Sequence, residues 1–246
     1  MRYSALSIRG YLRETNEDTY AVTRQGIFVV ADGVGGSRHG EAASKLAVNA
    51  ILHYLTSRRQ SLKRCPKPTM IAAAKETNSE IFRQGLIDPR FIGMGTTVVA
   101  AFLDKQRAHL VNVGDSRAYL IRPPNIIKQL TKDHSLLQEL HDRLGDHEIS
   151  HSKLLKHIIT QWLGSRKISP YYSSIALRRG DYVLLCTDGL SGILSGTQIM
   201  DKIVSGSTLE KANRELVTAA KEMGGNDDIT IVLVRVDHDN RKSKKR

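Results

Sequence analysis

The sequence predicts an α+β fold with a mostly β core in a single domain. Short runs rich in Val, Ile and Leu recur along the chain, which is typical of buried strands. Several of these runs are separated by only a few polar residues, so neighbouring strands should pair antiparallel. Longer stretches with apolar residues at helical spacing predict helices that cover a sheet.

The strand-like runs define the predicted sheet core. They are GIFVVA (26–31), TTVVAAF (96–102), AHLVNV (108–113), AYLI (118–121), DYVLLC (181–186) and ITIVLVRV (229–236). Only Leu103 and the polar residues 104–107 separate the second run from the third, and only 114–117 separate the third from the fourth. We therefore expect these three strands to pair in order as an antiparallel meander.

Amphipathic patterns predict the main helices. They cover 41–58, 69–84 and 208–223. The last has the clearest ends, because Ser207 and Glu210 have capping-box spacing and Gly224 follows the final apolar residue. A shorter helix is predicted to end at Gly145, and a polar segment follows it.

The domain organisation is predicted to be simple. We interpret residues 1–237 as one domain, because the expected strand pairings cross any internal boundary that could be drawn. Residues 134–164 are interpreted as a flap inserted in this domain. Residues 238–246 form a basic segment that we expect to be a disordered tail.

The composition is that of a globular protein, with 40% hydrophobic and 25% charged residues. The sequence contains no apolar run of about 18 residues and its first ten residues lack a signal-peptide core. We therefore expect no membrane span and a cytoplasmic location. The two cysteines, Cys65 and Cys186, have no spacing typical of a disulfide framework, which fits a reducing compartment.

The formal net charge of +12 raises the question of a nucleic-acid ligand. The basic residues cluster at 58–67, at 178–179 and in the tail, but aromatic residues make up only 5% of the chain and do not alternate with them. This pattern does not favour nucleic acid as the main ligand. A solvated basic surface and an acidic protein partner both remain open.

Acidic residues mark the ends of the predicted strands. Asp32, Asp115 and Asp188 each follow an apolar run, and Asp227 precedes the last one. One Asp-Gly pair alone is typical of a turn. Several carboxylates at strand ends, with glycines that let backbone carbonyls approach, offer hard oxygen ligands that suit Mg²⁺ or Mn²⁺. A further acidic pair, Glu17 and Asp18, precedes the first strand run.

Short motifs in a fixed order carry a family resemblance. They are RETNED, VVADGVGG, GTT (95–97), GDSRAYL, LTKDHS, LCTDGL and GGNDDIT, and they extend from Arg13 to Thr230. With them the sequence resembles the metal-dependent protein serine/threonine phosphatases of type 2C, in their short bacterial form. The resemblance implies a four-layer α/β/β/α sandwich, with two antiparallel sheets packed face to face and flanked by helices.

The resemblance also implies the site and its chemistry. The residues implied to hold two Mn²⁺ or Mg²⁺ ions are Asp18, Asp32, the carbonyl of Gly33, Asp188 and Asp227. Asp115 resembles a position that helps to bind a third, weaker ion, and Arg13 is implied to bind the substrate phosphate. The implied reaction is hydrolysis of phosphoserine and phosphothreonine by direct attack of a metal-bridging water.

The implied partners are phosphorylated proteins and a serine/threonine kinase whose action the enzyme opposes, and we expect a monomer. A scaffold that binds phosphoproteins without turnover is the alternative from another functional class. The presence of every implied metal ligand argues against that alternative.

Three positions depart from the family pattern. Val34 follows Gly33 where animal members have a histidine proposed as the general acid, so the acid is not identified. Asp228 replaces the usual asparagine after Asp227, which places an extra negative charge near the metals. Gln161 stands where many relatives have an arginine.

Histidines offer weaker signals. His39 lies close enough in sequence to approach the site, although a solvated histidine is the simpler interpretation. His147 and His151 have the i, i+4 spacing of helical zinc ligands, with His141 and His157 nearby. No cysteine or ordered carboxylate completes a zinc set, so a zinc site is not favoured.

Overall fold

A computed structural model of the chain describes residues 1–34, 39–145 and 153–237. Its centre is formed by two five-stranded antiparallel sheets. The first sheet contains Arg2–Ile8 (β1), Arg117–Arg122 (β6), Ile126–Gln129 (β7), Tyr182–Cys186 (β9) and Ile229–Arg235 (β10). The second contains Asp18–Val22 (β2), Ile27–Asp32 (β3), Val98–Leu103 (β4), Arg107–Val113 (β5) and Tyr171–Ala176 (β8).

The order of strands places β1 beside β10. The first sheet runs β1-β10-β9-β6-β7 and the second runs β2-β3-β4-β5-β8. Strand β1 pairs with β10 along its whole length, from Arg2 opposite Arg235 to Ile8 opposite Ile229.

Helices cover the outer face of each sheet. They are Gly40–Ser57 (α1), Arg59–Arg64 (α2), Pro66–Ile87 (α3), Leu136–Leu144 (α4), Asp188–Ser191 (α5), Gly196–Ser205 (α6) and Leu209–Glu222 (α7), with short 3₁₀ helices at Pro89–Phe91 and Lys153–His157. Helices α1 and α3 pack on the second sheet, and α6 and α7 pack on the first. In the described ranges, no helix has the length and apolar character needed to cross a membrane.

Strand β3 shows why the sandwich has four layers. Its side chains alternate, and both faces of the strand are buried. Phe28 and Val30 pack between the sheets, where they share a core with Val183 and Val232. Ile27 and its alternating neighbours face the helices on the outer side. The predicted α/β/β/α sandwich is confirmed.

One predicted strand pairing is wrong. The runs at 98–103 and 107–113 pair antiparallel as expected, but β5 pairs next with β8, and β6 pairs with β7 and β9 in the other sheet. Gly114 has a φ of +101°, which side-chain-bearing residues rarely adopt. The chain crosses between the stacked sheets at this turn, so a short connection does not make a hairpin here.

The positions of the helices agree with the sequence-based predictions more closely than the N-cap residues do. Helix α7 is present, but its N-cap is Thr208, whose side chain accepts a hydrogen bond from the Lys211 backbone at 3.1 Å, so the predicted box at Ser207 is wrong. The structure instead has a capping box in α6 at Ser195 and Gln198. Helix α4 ends at Gly145 as predicted.

The predicted flap is described only in part. Helix α4 and the 3₁₀ helix at Lys153–His157 lie within it, and residues 146–152 lie outside the described residues. The predicted tail at 238–246 also lies outside them. The flap and the domain boundary therefore stay predictions.

Candidate functional site

Two carboxylates reach the site from the second sheet. Asp18 is the first residue of β2 and Asp32 the last residue of β3, and the two are directly opposite in the antiparallel register. Opposed residues in such a pair have their side chains about 5 Å apart. The hairpin therefore brings both acids to the same end of the sheet.

Two more carboxylates reach the same place from the first sheet. Asp188 follows β9 at the start of α5, and Asp227 precedes β10. These carboxylates line a pocket of about 310 Å³ at one end of the sandwich. The pocket is lined by Arg13, Asp32, Gly33, Val34, Thr97, Asp115, His157, Ile159, Trp162, Asp188 and Asp227. Asp18 is buried, with 7% exposure, and is not part of this lining.

Gly33 is required by a close approach of two backbones. A Cβ atom at this position would lie 2.5 Å from the carbonyl carbon of Gly40 at the start of α1. Its N–H donates to the Glu17 carbonyl at 3.1 Å. The absence of a side chain therefore lets α1 begin against the strand end, next to the carboxylates.

Threonines hold the two acidic strand ends in place. Thr187 Oγ1 donates to Asp18 Oδ2 at 2.9 Å, which links the two sheets. Thr96 Oγ1 donates to the Asp32 carbonyl at 2.7 Å, and Thr97 Oγ1 accepts from the Asp32 N–H at 3.1 Å. The GTT motif thus fixes the end of β3.

Arg13 makes a two-pronged contact with Asp227. Its Nε donates to Asp227 Oδ1 at 2.8 Å and one terminal nitrogen donates to Oδ2 at 3.0 Å. The other terminal nitrogen lies 3.4 Å from Glu17. The guanidinium is half-buried at the pocket, where a planar donor fork suits phosphate oxygens as well as carboxylates.

Asp228 faces away from the pocket and binds backbone instead. Its Oδ1 accepts from the Gly10 N–H at 2.8 Å and its Oδ2 from the Glu17 N–H at 2.7 Å, and the residue is 3% exposed. The carboxylate therefore fastens both ends of the β1–β2 loop, which carries Arg13. The departure from the family pattern at this position has a structural role.

Asp115 lies on the crossover between the sheets. His134 holds the backbone of Gly114 there with two hydrogen bonds. Its backbone N–H donates to the Gly114 carbonyl at 3.0 Å, and its ring Nδ1 accepts from the Gly114 N–H at 3.1 Å. Arg117 pairs with Asp133 at 2.5 Å. Arg117 thus anchors the loop through Asp133, and Asp115 keeps its side chain in the pocket.

Burial and mutual repulsion raise the carboxyl pKa values. Burial raises the pKa of Asp18 to about 8, against hydrogen bonding that lowers it. Burial, together with the charges of Asp188 and Asp133, raises the pKa of Asp115 to about 7. The pKa of Asp32 is also raised by burial and by the neighbouring acids, Asp18 first. So many ionised carboxylates cannot share this space without protons or cations.

The donor set fits hard divalent cations. Asp18 Oδ1 is buried and has no hydrogen-bond partner among the described residues, so it is an acceptor in need of a positive charge. The surrounding donors are carboxylate oxygens, which Mg²⁺ and Mn²⁺ prefer. In the part of the chain that the structure describes, no three acidic, histidine or cysteine side chains are already arranged around one point. The donors therefore suit such a cation by chemical type, while Arg13 occupies both oxygens of Asp227 in this structure.

The structure adds residues that the motifs do not indicate. His157 and Trp162 line the pocket from the flap region, which has no clear sequence pattern. Gln161 accepts from the Ser169 N–H at 2.7 Å and so holds a loop. His39 packs edge-on against Phe91 with ring centres 5.0 Å apart and does not line the pocket.

The zinc site considered for His147 and His151 is not tested by the structure, because both lie outside the described residues. No group of three possible ligands occurs among the residues that are described.

Comparison with known proteins gives the family. A family model described as protein phosphatase 2C matches residues 13–230. The chain belongs to the protein phosphatase 2C family. It is 37% identical over 239 residues to the serine/threonine protein phosphatase PstP of Mycobacterium tuberculosis, covering 96% of this chain and 45% of PstP. The chain thus spans less than half the length of that relative.

Two further matches cover most of both chains. The serine/threonine phosphatase stp of Listeria monocytogenes is 34% identical over 239 residues, which cover 93% of each protein. The crystal structure of the PstP catalytic domain in complex with two manganese ions superposes with a TM-score of 0.82 at 34% identity, covering 96% of this chain and 98% of that one.

Proposed function

We propose that this chain is a metal-dependent protein phosphatase that hydrolyses phosphoserine and phosphothreonine in proteins and opposes a serine/threonine kinase. One observation carries the proposal: carboxylates from both sheets meet in one pocket, with a guanidinium beside them. The names of the similar proteins in Mycobacterium and Listeria support the same activity. We further propose that it acts as a cytoplasmic monomer.

The proposed roles follow from the positions of the side chains. The residues that would hold two Mn²⁺ or Mg²⁺ ions are Asp18, Asp32, the Gly33 carbonyl, Asp188 and Asp227. Asp115 would help to hold a third, weaker ion, since it lines the same pocket from the crossover. When bound, the cations supply a nucleophilic water near neutral pH and positive charge for the phosphoryl oxygens.

Arg13 would orient the substrate. Its guanidinium already holds an anionic oxygen pair in a two-pronged contact, and a phosphate presents the same kind of oxygens. Val34 has no proton to donate, so the leaving group would take its proton from water or from His157, which lines the pocket.

The test is hydrolysis of phosphoserine and phosphothreonine peptides with Mn²⁺. Asp32→Ala and Asp188→Ala should each lose several orders of magnitude in turnover, because the nucleophile depends on the cations. Asp201→Ala removes an exposed carboxylate from α6 and serves as the matched control, with unchanged turnover. Full activity of the wild type in excess EDTA after extensive dialysis would refute the proposal.

A further inference from the structure

A second, larger pocket lies at the opposite end of the sandwich. We call it the far-end pocket; its volume is about 680 Å³, and it includes the β2–β3 turn at 23–26 and the β4–β5 turn at 104–106. Asp32 ends β3 at the carboxylate site, whereas the strand begins beside this turn. At about 3.3 Å per residue, six residues separate the two pockets by about 20 Å.

The floor of the far-end pocket is apolar. Met1, Tyr3, Phe28, Phe102 and Leu103 contribute to its lining. The rings of Tyr3 and Phe28 meet edge to face, with centroids 5.6 Å apart. Met1 and Tyr3 are the half-exposed members of this floor, so an apolar side chain of a ligand could pack on them and lose contact with water.

The rim of the far-end pocket is basic. Four of its residues are cations, namely Arg24, Arg59, Lys63 and Lys105. Arg59 donates to the side chain of Gln25, which fixes its position. Within the described ranges, Arg24, Lys63 and Lys105 have no carboxylate within 4.0 Å, and all three are exposed.

The acidic residue in the lining does not neutralise this rim. Asp104 Oδ1 accepts from the backbone N–H groups of Gln106 and Arg107 at 2.6 and 2.7 Å. Its Oδ2 faces His109 Nε2 at 3.7 Å. The carboxylate is thus used to close the β4–β5 turn, and with four cations against this one carboxylate the mouth of the pocket keeps a positive charge.

We propose that the far-end pocket docks an acidic peptide segment of a partner protein. One apolar side chain of that segment fills the pocket, and flanking Asp or Glu side chains pair with the rim cations. Charge complementarity of this kind favours association, and an anchor in an apolar pocket supplies most of the binding energy. Arg59 and Lys63, from the basic cluster at 58–67, thereby acquire a role that the catalytic site does not give them.

Other occupants fit less well. Phe28 and Phe102 are buried to 1% and 3% exposure, so they offer no free ring faces for stacked nucleic-acid bases. The segment 238–246 of this chain is itself basic, and a second copy would bring the same net charge of +12. Like charge opposes both of these occupants at a basic rim.

The binding test uses a fluorescein-labelled peptide in which one phenylalanine is flanked by glutamates, measured by fluorescence polarisation. Lys63→Glu with Lys105→Glu should weaken binding about tenfold, because two rim cations are reversed. The control, Lys75→Glu with Lys221→Glu, makes the same charge change at exposed sites elsewhere and should weaken binding less than about twofold. Exchanging the phenylalanine of the peptide for serine should also weaken binding.

Three outcomes would overturn the proposal. They are no binding of the peptide, equal weakening by the two double variants, and tighter binding of a single-stranded oligonucleotide of equal charge that depends on Lys63 and Lys105. Melting temperatures of both variants equal to that of the wild type verify that they are folded. The assay involves no catalysis, so its result is independent of the proposed phosphatase activity.

Discussion

Asp18 shows why an ionised carboxylate is difficult to stabilise in this site. Its Oδ2 accepts a hydrogen bond from Thr187, while Oδ1 is buried and accepts none from any described residue. An ionised carboxylate in this position needs a counter-charge, and a proton or a divalent cation can supply it. Proton and metal should therefore compete for the same oxygen.

This competition gives a pH prediction for chelator-treated protein. Asp18 and Asp115, with pKa values raised to about 8 and about 7, keep protons in the folded state that the unfolded chain releases near pH 4. The folded state then binds more protons, so the free energy of unfolding falls as pH rises between roughly 4 and 8. We expect the melting temperature in EDTA to fall over that window.

Asp18→Asn is the matched variant, because it keeps the shape of the side chain and removes the titration. It should flatten the decline measured by calorimetry from roughly pH 5 to 8. Excess Mn²⁺ should raise the melting temperature of the wild type most at the upper end of this range. A melting temperature in EDTA that climbs with pH, with no difference in Asp18→Asn, would contradict the prediction.

Removal of the Arg13 side chain should strengthen the binding of metal and weaken the binding of substrate. Because its guanidinium occupies both oxygens of Asp227, Arg13→Ala should bind Mn²⁺ a few-fold more tightly while the KM for phosphopeptides rises. Arg13→Lys keeps the charge without the fork and should recover less than half of the lost KM effect. Calorimetric titration of Mn²⁺ beside steady-state kinetics measures both, and weaker Mn²⁺ binding in Arg13→Ala would count against the role.

At the scale of elements, the β1–β2 loop depends on a residue from the other end of the chain. Asp228→Ala leaves two backbone N–H groups, those of Gly10 and Glu17, without their acceptor, and should cost about 2–4 kcal/mol of unfolding free energy. Asp228→Asn keeps one acceptor oxygen and should cost about half as much. Urea denaturation measures both; losses below those of Asp201→Ala would show that the loop does not need this carboxylate.

The elements that the sequence predicts well are those whose burial is strongest. Strands such as β3 and β4 are buried on both faces and read as continuous apolar runs. Strand β8, with the sequence YYSSIA, is an edge strand with polar and half-exposed residues, so no run marks it. The prediction that β5 pairs with β6 is wrong for another reason. The turn at Gly114 connects the two sheets, and the length of a loop does not show whether it joins strands of the same sheet.

The candidate site was predictable as a set of residues but not as a geometry. Asp32 and Asp188 each come after a strand-like apolar run and directly before a glycine. Both can therefore be recognised from their neighbours in the sequence. His157 carries none, because it approaches the pocket from a segment without periodicity. The contact of Arg13 with Asp227 joins residues 214 positions apart, and only the folded sheets bring them together.

For the whole molecule, the division of acids between the sheets predicts a shared response to metal. Asp18 and Asp32 belong to the second sheet, and Asp188 and Asp227 adjoin strands of the first. Mn²⁺ should therefore slow amide hydrogen exchange in β3 and β10 together, and Asp188→Ala should remove the protection from both strands. Protection confined to β2 and β3 would mean that the first sheet contributes no ligand.

The pairing of β1 with β10 has a consequence for how the protein is made. Strand β1 lies at the edge of its sheet, and its hydrogen-bonded neighbour is β10, the last strand in the described ranges. During synthesis β1 is made more than 200 residues before that neighbour. Asp227 is synthesised just before β10. A chain that lacks β10 therefore has neither the partner of β1 nor Asp227, so its first sheet and its cluster of acids are both incomplete.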